Sequence, residues 1–249
     1  MSVETAVISS GRYRAETPWG AWVALIATVA VVGASVGGSV TVAVLLREAS
    51  VPTWAQFDRP AAWAAMLCFQ VVAVLAAAWL AGWFGGRRRN VLAIDVAAPG
   101  LHSTVAYFLL LALSSLAYTL LIYWWRPGVV RADMATFAPM VQSSTWPIYA
   151  FIIVVGAPLS EELLFRGFLQ SALAKSRLGF VGASIVTTAA WSMLHIQYSA
   201  YGLAEIVVVG LFLCWVLWRT GSLRATIILH GLYNGAQFVG MKFHLFPWT

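Results

Sequence analysis

Six residues in the second half of the chain carry groups that can move protons or polarise a carbonyl: Glu161, Glu162, Arg166, His195, His230 and Asn234. Glu161 and Glu162 are adjacent, and Arg166 follows Glu162 by four residues. On a helix, an acid at i and a base at i+4 make a favourable pair in that order. Arg166 can therefore neutralise Glu162. Glu161 lies about 100° further round the helix and is left to face a cavity, where an unneutralised carboxylate suits general-base work. His230 and Asn234 are also spaced i, i+4 and share one helix face. A glutamate and two histidines can hold a divalent metal that activates water, or can hold the water themselves. Asn234 can donate to a developing oxyanion.

The competing reading is a structural ion-pair cluster that locks Glu161, Glu162 and Arg166 to neighbouring helices. A charge near the centre of a bilayer costs on the order of 2.5–3.5 kcal/mol by insertion scales. Three such groups together must pair or work, and the two downstream histidines favour work.

The elements that must position these residues are apolar throughout. Of the 249 residues, 61% are hydrophobic and 10% charged, against about 25% charged in soluble domains. The apolar residues fall in runs of about 18 to 28, long enough to span a bilayer as helices. The predicted fold is an all-α polytopic membrane bundle of about seven transmembrane helices. They are placed at residues 19–46, 60–84, 101–125, 146–175, 179–198, 202–218 and 223–241, with an alternative of eight that counts a short helix near 130–145. Gly85-Gly86 is read as the end of the second helix, and Gly33, Gly37 and Gly38 as either close helix contacts or ordinary membrane-helix glycines. Residues 1–145 form an N-terminal scaffold of three helices, residues 146–241 hold the chemistry, and residues 242–249 are a short tail.

The net charge of +6 comes from basic residues in short loops, a pattern of topology signals rather than of nucleic-acid binding. With the N-terminus inside, nine Lys and Arg fall on the cytoplasmic side (Arg12, Arg14, Arg87, Arg88, Arg89, Lys175, Arg177, Arg219, Arg224) and five outside (Arg47, Arg59, Arg126, Arg131, Lys242). This predicts a multi-pass protein of a bacterial-type cell membrane with a cytoplasmic N-terminus. The first apolar run is too long for a signal-peptide core. Cys68 and Cys214 lie inside apolar runs, outside any C-x-x-C pattern, so neither a disulfide framework nor a thiolate metal site is expected.

Three motifs stand in order on successive helices: Glu161-Glu162-Leu-Leu-Phe-Arg166, Trp191-Ser-Met-Leu-His195 and His230-Gly-Leu-Tyr-Asn234. They resemble the E-E-x-x-x-R, F-x-x-x-H and H-x-x-x-N pattern of the CPBP family of intramembrane proteases, also called the CAAX-protease and bacteriocin-processing (Abi) family. The one departure is Trp191 where the family has Phe. The resemblance covers about residues 146–240. It implies an intramembrane endopeptidase acting on a membrane-associated, prenylated or small peptide, with Glu161 as general base and His195 sharing the water. It further implies that Glu162 and Arg166 support the base, and that His230 and Asn234 orient the water or stabilise the oxyanion. If the enzyme uses a metal, a divalent ion such as Zn would sit on Glu161, His195 and His230; a metal-free, glutamate-dependent mechanism is the alternative. The implied partners are a peptide substrate and the lipid bilayer. Two other functions compete: a non-catalytic immunity or scaffold protein of the same fold, and a transporter using Glu161 as a proton site.

Straight helices do not bring Glu161 and His195 to one depth. Entering at Trp146, Glu161 would lie roughly 22 Å down, whereas His195 sits near the far end of the next helix. The sequence therefore predicts a break at Pro158.

Overall fold

In a computed structural model, residues 13–15, 17–46, 57–83 and 87–248 are described, Arg88 by its backbone alone. The polar stretch through residue 12, the loop of Arg47 to Pro52 and the Gly85-Gly86 stop lie outside them. Among the described residues the chain is helical and has no strand. The order is α1 (Ala21–Leu45), α2 (Pro60–Trp83), a one-turn α3 (Arg88–Val91) and α4 (Leu101–Trp125). Two short helices follow, α5 (Pro127–Ala135) and α6 (Ala138–Gln142). The helix bearing the glutamates, α7, runs from Trp146 to Ala174. Then come α8 (Gly179–Ser192) with a 3₁₀ turn over Met193–His195, α9 (Ala200–Thr220) and α10 (Leu223–Lys242).

Among the described residues, five helices are long and apolar enough to cross a membrane: α1, α2, α4, α7 and α9. The fold is thus an all-helical polytopic bundle. The remaining two of the seven expected spans exist as helices but fall short of that mark. Helix α8 has only 14 residues, and α10 interleaves its apolar positions with Arg224, His230, Asn234, Gln237 and Lys242. These are the two helices that bring the histidines. The short helix expected near 130–145 is present as two pieces, α5 and α6.

The first three long helices share one core with the rest. Trp19 stacks on Phe168 of α7 with ring centroids 4.6 Å apart. Phe57 and Asp58, just before α2, bind the start of α7: Asp58 accepts from the Ser144 N–H and hydroxyl, and the carbonyl of Phe57 accepts from Thr145 and Tyr149. Of the three glycines in α1, Gly38 alone approaches a neighbouring helix, since a Cβ there would meet Cys68 Sγ at 3.2 Å, while Gly33 and Gly37 face open space. Gly221 ends α9 in the left-handed conformation at φ 68°, where glycine carries no Cβ penalty.

Helix α7 is not broken at Pro158. It runs through, wound as π-helix over Ile152–Gly156 and again over Glu162–Leu169. A proline inside an α-helix leaves one carbonyl without its donor and crowds the preceding turn. Here the wider turn before Pro158 absorbs the crowding, and side chains of other helices supply the donors. The Asn234 amide donates to the Ile153 carbonyl and the Gln70 amide to the Ile152 carbonyl, both at 3.0 Å. The predicted break is thereby replaced by a change of winding. One extra residue per turn rotates everything after it by about 100° relative to an α-helix.

Candidate active site

Glu161 and Glu162 follow the first π turn and face different surroundings. Glu162 is fully buried beside an equally buried Arg166, whose Nη1 donates to Glu162 Oε1 at 3.1 Å. The guanidinium also donates to the Gly210 carbonyl at 3.4 Å and lies 4.4 Å from the Trp191 ring. A buried ion pair is sound only when further contacts satisfy its remaining groups. The Gly210 carbonyl and the indole face provide part of this for the cation, while Arg166 Nε and Glu162 Oε2 are buried without a hydrogen-bond partner among the described residues.

Glu161 is 14% exposed and borders a cavity of about 530 Å³. Its Oε2 accepts from the indole N–H of Trp191 and lies 4.0 Å from His230 Nε2. His195, His230 and Asn234 border the same cavity, whereas Glu162 and Arg166 do not. Four of the six residues expected at the site thus meet at one space, and the other two form the ion pair behind it.

Hydrogen-bond chemistry fixes the histidine tautomers. His230 Nδ1 lies 3.0 Å from Glu162 Oε1. A carboxylate paired with an arginine only accepts, so Nδ1 carries a proton and Nε2 is the atom turned to Glu161. His195 Nδ1 lies 3.3 Å from the Trp191 carbonyl, which also only accepts. That leaves His195 Nε2 as its basic nitrogen. His195 reaches the rest of the site through the indole, its ring standing edge-on to Trp191 at 4.9 Å. Asn234 spends one amide hydrogen on the Ile153 carbonyl.

The sequence marked Trp191 only as the start of a motif, yet it touches Glu161, Arg166, His195 and His230. Sequence reasoning passed over Glu205. Its carboxylate borders the cavity and accepts from the hydroxyls of Ser115, Thr119 and Tyr233. A lone acid in the apolar run of α9 was the available signal. Its partners lie on α4 and α10, far away in sequence.

A glutamate on one helix and histidines on two others, around one cavity, match what the motif resemblance requires. Residues 143–236 match the family model described as type II CAAX prenyl endopeptidase Rce1-like. The match spans all three motifs and is consistent with their resemblance to the CPBP and CAAX-protease family. No curated protein and no solved structure matches the chain. The matched segment begins three residues before α7 and ends inside α10, so it contains the whole cavity wall formed by Glu161, His195, His230 and Asn234.

The metal reading needs three ligands converging on one point. Among the described residues, no group of three His, Cys, Asp or Glu side chains is placed to hold a metal ion. His230 gives Nδ1 to Glu162, and His195 packs against the indole that donates to Glu161. As arranged, Glu161, His195 and His230 do not form a ligand set.

Proposed function

We propose that the chain is an intramembrane endopeptidase that hydrolyses a peptide bond of a membrane-associated peptide, of the prenylated or small-peptide kind. The observation that carries this reading is the split between the two glutamates. Glu162 is buried and neutralised by Arg166, while Glu161 faces the cavity with no cation against it other than what His230 can supply.

In this reading Glu161 takes a proton from water as the water oxygen bonds to the scissile carbonyl carbon. His195 Nε2, the free basic nitrogen, accepts from the same water. The carbonyl oxygen becomes an oxyanion, stabilised by the second amide hydrogen of Asn234, while His230 Nε2 faces the protonated Glu161 as an acceptor. Collapse of the tetrahedral intermediate breaks the C–N bond, and the proton held by Glu161 passes to the leaving amine. Glu162 and Arg166 hold His230 and Trp191 in place and touch no substrate. Residues 146–241 are the catalytic core and residues 1–145 its scaffold, in a bacterial-type cell membrane with a cytoplasmic N-terminus, the side favoured by the loop charges.

The test is cleavage of a membrane-anchored peptide reporter by purified protein in vesicles. Glu161→Gln removes the base at constant shape. A general base contributes about 10²–10⁴-fold, so cleavage should fall by at least about a hundredfold. Wild-type cleavage by Glu161→Gln would end the reading.

A further inference from the structure

The π turn before Glu161 is held from two sides. Pro158 has no N–H, so the Ile153 carbonyl, five residues back, has no helical donor and takes the Asn234 amide from α10 instead. The Ile152 carbonyl already accepts from the Ala157 N–H, the i→i+5 bond of a π turn. It accepts a second bond from Gln70 Nε2 of α2 at 3.0 Å. The Val154 carbonyl packs on Gly231, where a Cβ would stand only 2.8 Å from its oxygen. Three successive carbonyls of α7 are therefore addressed from α2 and α10, just ahead of the glutamates.

Gln70 is 8% exposed, on a helix with no other amide or charged side chain. Its Oε1 is buried without a hydrogen-bond partner among the described residues. Its amide fits only because residue 156 is glycine: a Cβ there would lie 1.9 Å from Gln70 Oε1. A buried oxygen without a donor costs stability, and a methionine would fill the same space on α2 without that cost. The amide contributes one thing that methionine cannot, the hydrogen bond that fixes the Ile152 carbonyl.

We infer that Gln70 is a positioning residue for Glu161. Gln70 from the scaffold and Asn234 from the motif helix clamp the π turn of Ile152–Gly156 between them, and the winding of that turn sets the direction in which Glu161 leaves the helix. The inference rests on the proposed role of Glu161 and adds that residues 1–145 supply part of the catalytic geometry.

The experiment measures kcat and KM of the full chain in vesicles for wild type, Glu161→Gln, Gln70→Met and Gly156→Ala, with thermal unfolding of each. Gln70→Met should lower kcat by about tenfold or more, as expected for the loss of roughly one oriented hydrogen bond. Its KM should stay within about twofold, and its unfolding temperature should not fall. Gly156→Ala should lower kcat in the same way by displacing the Gln70 amide. In the double variant Gln70→Ala, Gly156→Ala the new methyl enters the vacated space, so its kcat should match that of Gln70→Ala alone. If Glu161→Gln is inactive and Gln70→Met keeps the wild-type kcat, the positioning role is overturned and the function stands. If Glu161→Gln is fully active, the function itself fails. Should Gln70→Met not fold, Gly156→Ala decides: an unchanged kcat overturns the inference, and a reduced kcat at unchanged KM supports it.

Discussion

The indole N–H of Trp191 donates to Oε2 of Glu161, so the carboxylate facing the cavity is held by the first residue of the next motif. The same ring carries the Arg166 guanidinium on its face at 4.4 Å. One side chain thus fixes both the free acid and the paired base. Trp191→Phe keeps an aromatic ring beside Arg166 and removes the N–H along with part of the bicyclic ring. It should fold normally and lose about tenfold in kcat, one hydrogen bond's worth. Trp191→Ala removes the ring as well, and should cost about 3–5 kcal/mol of stability as a large buried truncation. Thermal unfolding and reporter cleavage separate the two. Equal kcat losses at equal stability would show that the indole only packs.

The pair behind Glu161 should behave as a unit. Glu162→Gln leaves the fully buried Arg166 without its counter-charge, and stranding a buried charge costs about 3–5 kcal/mol. Replacing both residues, Glu162→Leu with Arg166→Met, should cost less than Glu162→Gln alone. It should still reduce activity, because His230 Nδ1 loses its acceptor. Unfolding midpoints of the three variants in one detergent check the order.

Much of this site could be read from spacing, and the remainder could not, for identifiable reasons. The Glu162–Arg166 pair follows from four residues on a helix, and the exposure of Glu161 follows from the 100° step between neighbours. The course of α7 through Pro158 does not. A π turn has the same composition as an α turn, and what holds it open comes from Gln70 and Asn234, 82 and 81 residues away. The expected break at Pro158 assumed that the helix must satisfy its own carbonyls, whereas the Ile153 carbonyl takes its donor from α10 and the Ile152 carbonyl gains a second donor from α2. Glu205 escaped for a similar reason: its hydroxyl partners stand on α4 and α10, and no local pattern links them. The expected extent of α8 to residue 198 was too long because the backbone tightens to a 3₁₀ turn at Met193–His195, which apolar composition does not report.

Gly210 has a cost attached to it that the sequence hides in a run of valines and leucines. A Cβ there would lie 2.6 Å from Thr188 Cγ2 and 3.0 Å from the Trp191 ring. The ring is packed on both faces of the site and cannot move freely. Gly210→Ala should therefore destabilise by about 1–3 kcal/mol as an overpacked core. It should also lower kcat by pushing the indole off Glu161. Combining it with Trp191→Phe tests the route, since the smaller ring should recover stability but not activity.

Glu205 is held by three hydroxyls, and Tyr233 gives the bond at 3.0 Å. Tyr233→Phe leaves one carboxylate oxygen short of a donor and should cost about 1–3 kcal/mol. The loss depends on the acid being there. In a Glu205→Gln background the same substitution should cost less, and the difference is the coupling energy between the two. Additive losses would show that the tyrosine hydroxyl is stabilised by its other neighbours, Ser115 and Gln237.

The response to chelators follows from the histidine geometry. A metal on Glu161, His195 and His230 would need the nitrogens of both rings turned to one point. His230 Nδ1 is committed to Glu162, and its Nε2 stands 4.0 Å from Glu161 Oε2. His195 stands edge-on to the indole, with Nδ1 on the Trp191 carbonyl. Cleavage should therefore persist within roughly twofold after exhaustive treatment with a strong chelator. Zinc added back should not raise it. Loss of activity on chelation, restored by one divalent ion, would mean that the indole gives way and that the glutamate works through a metal after all.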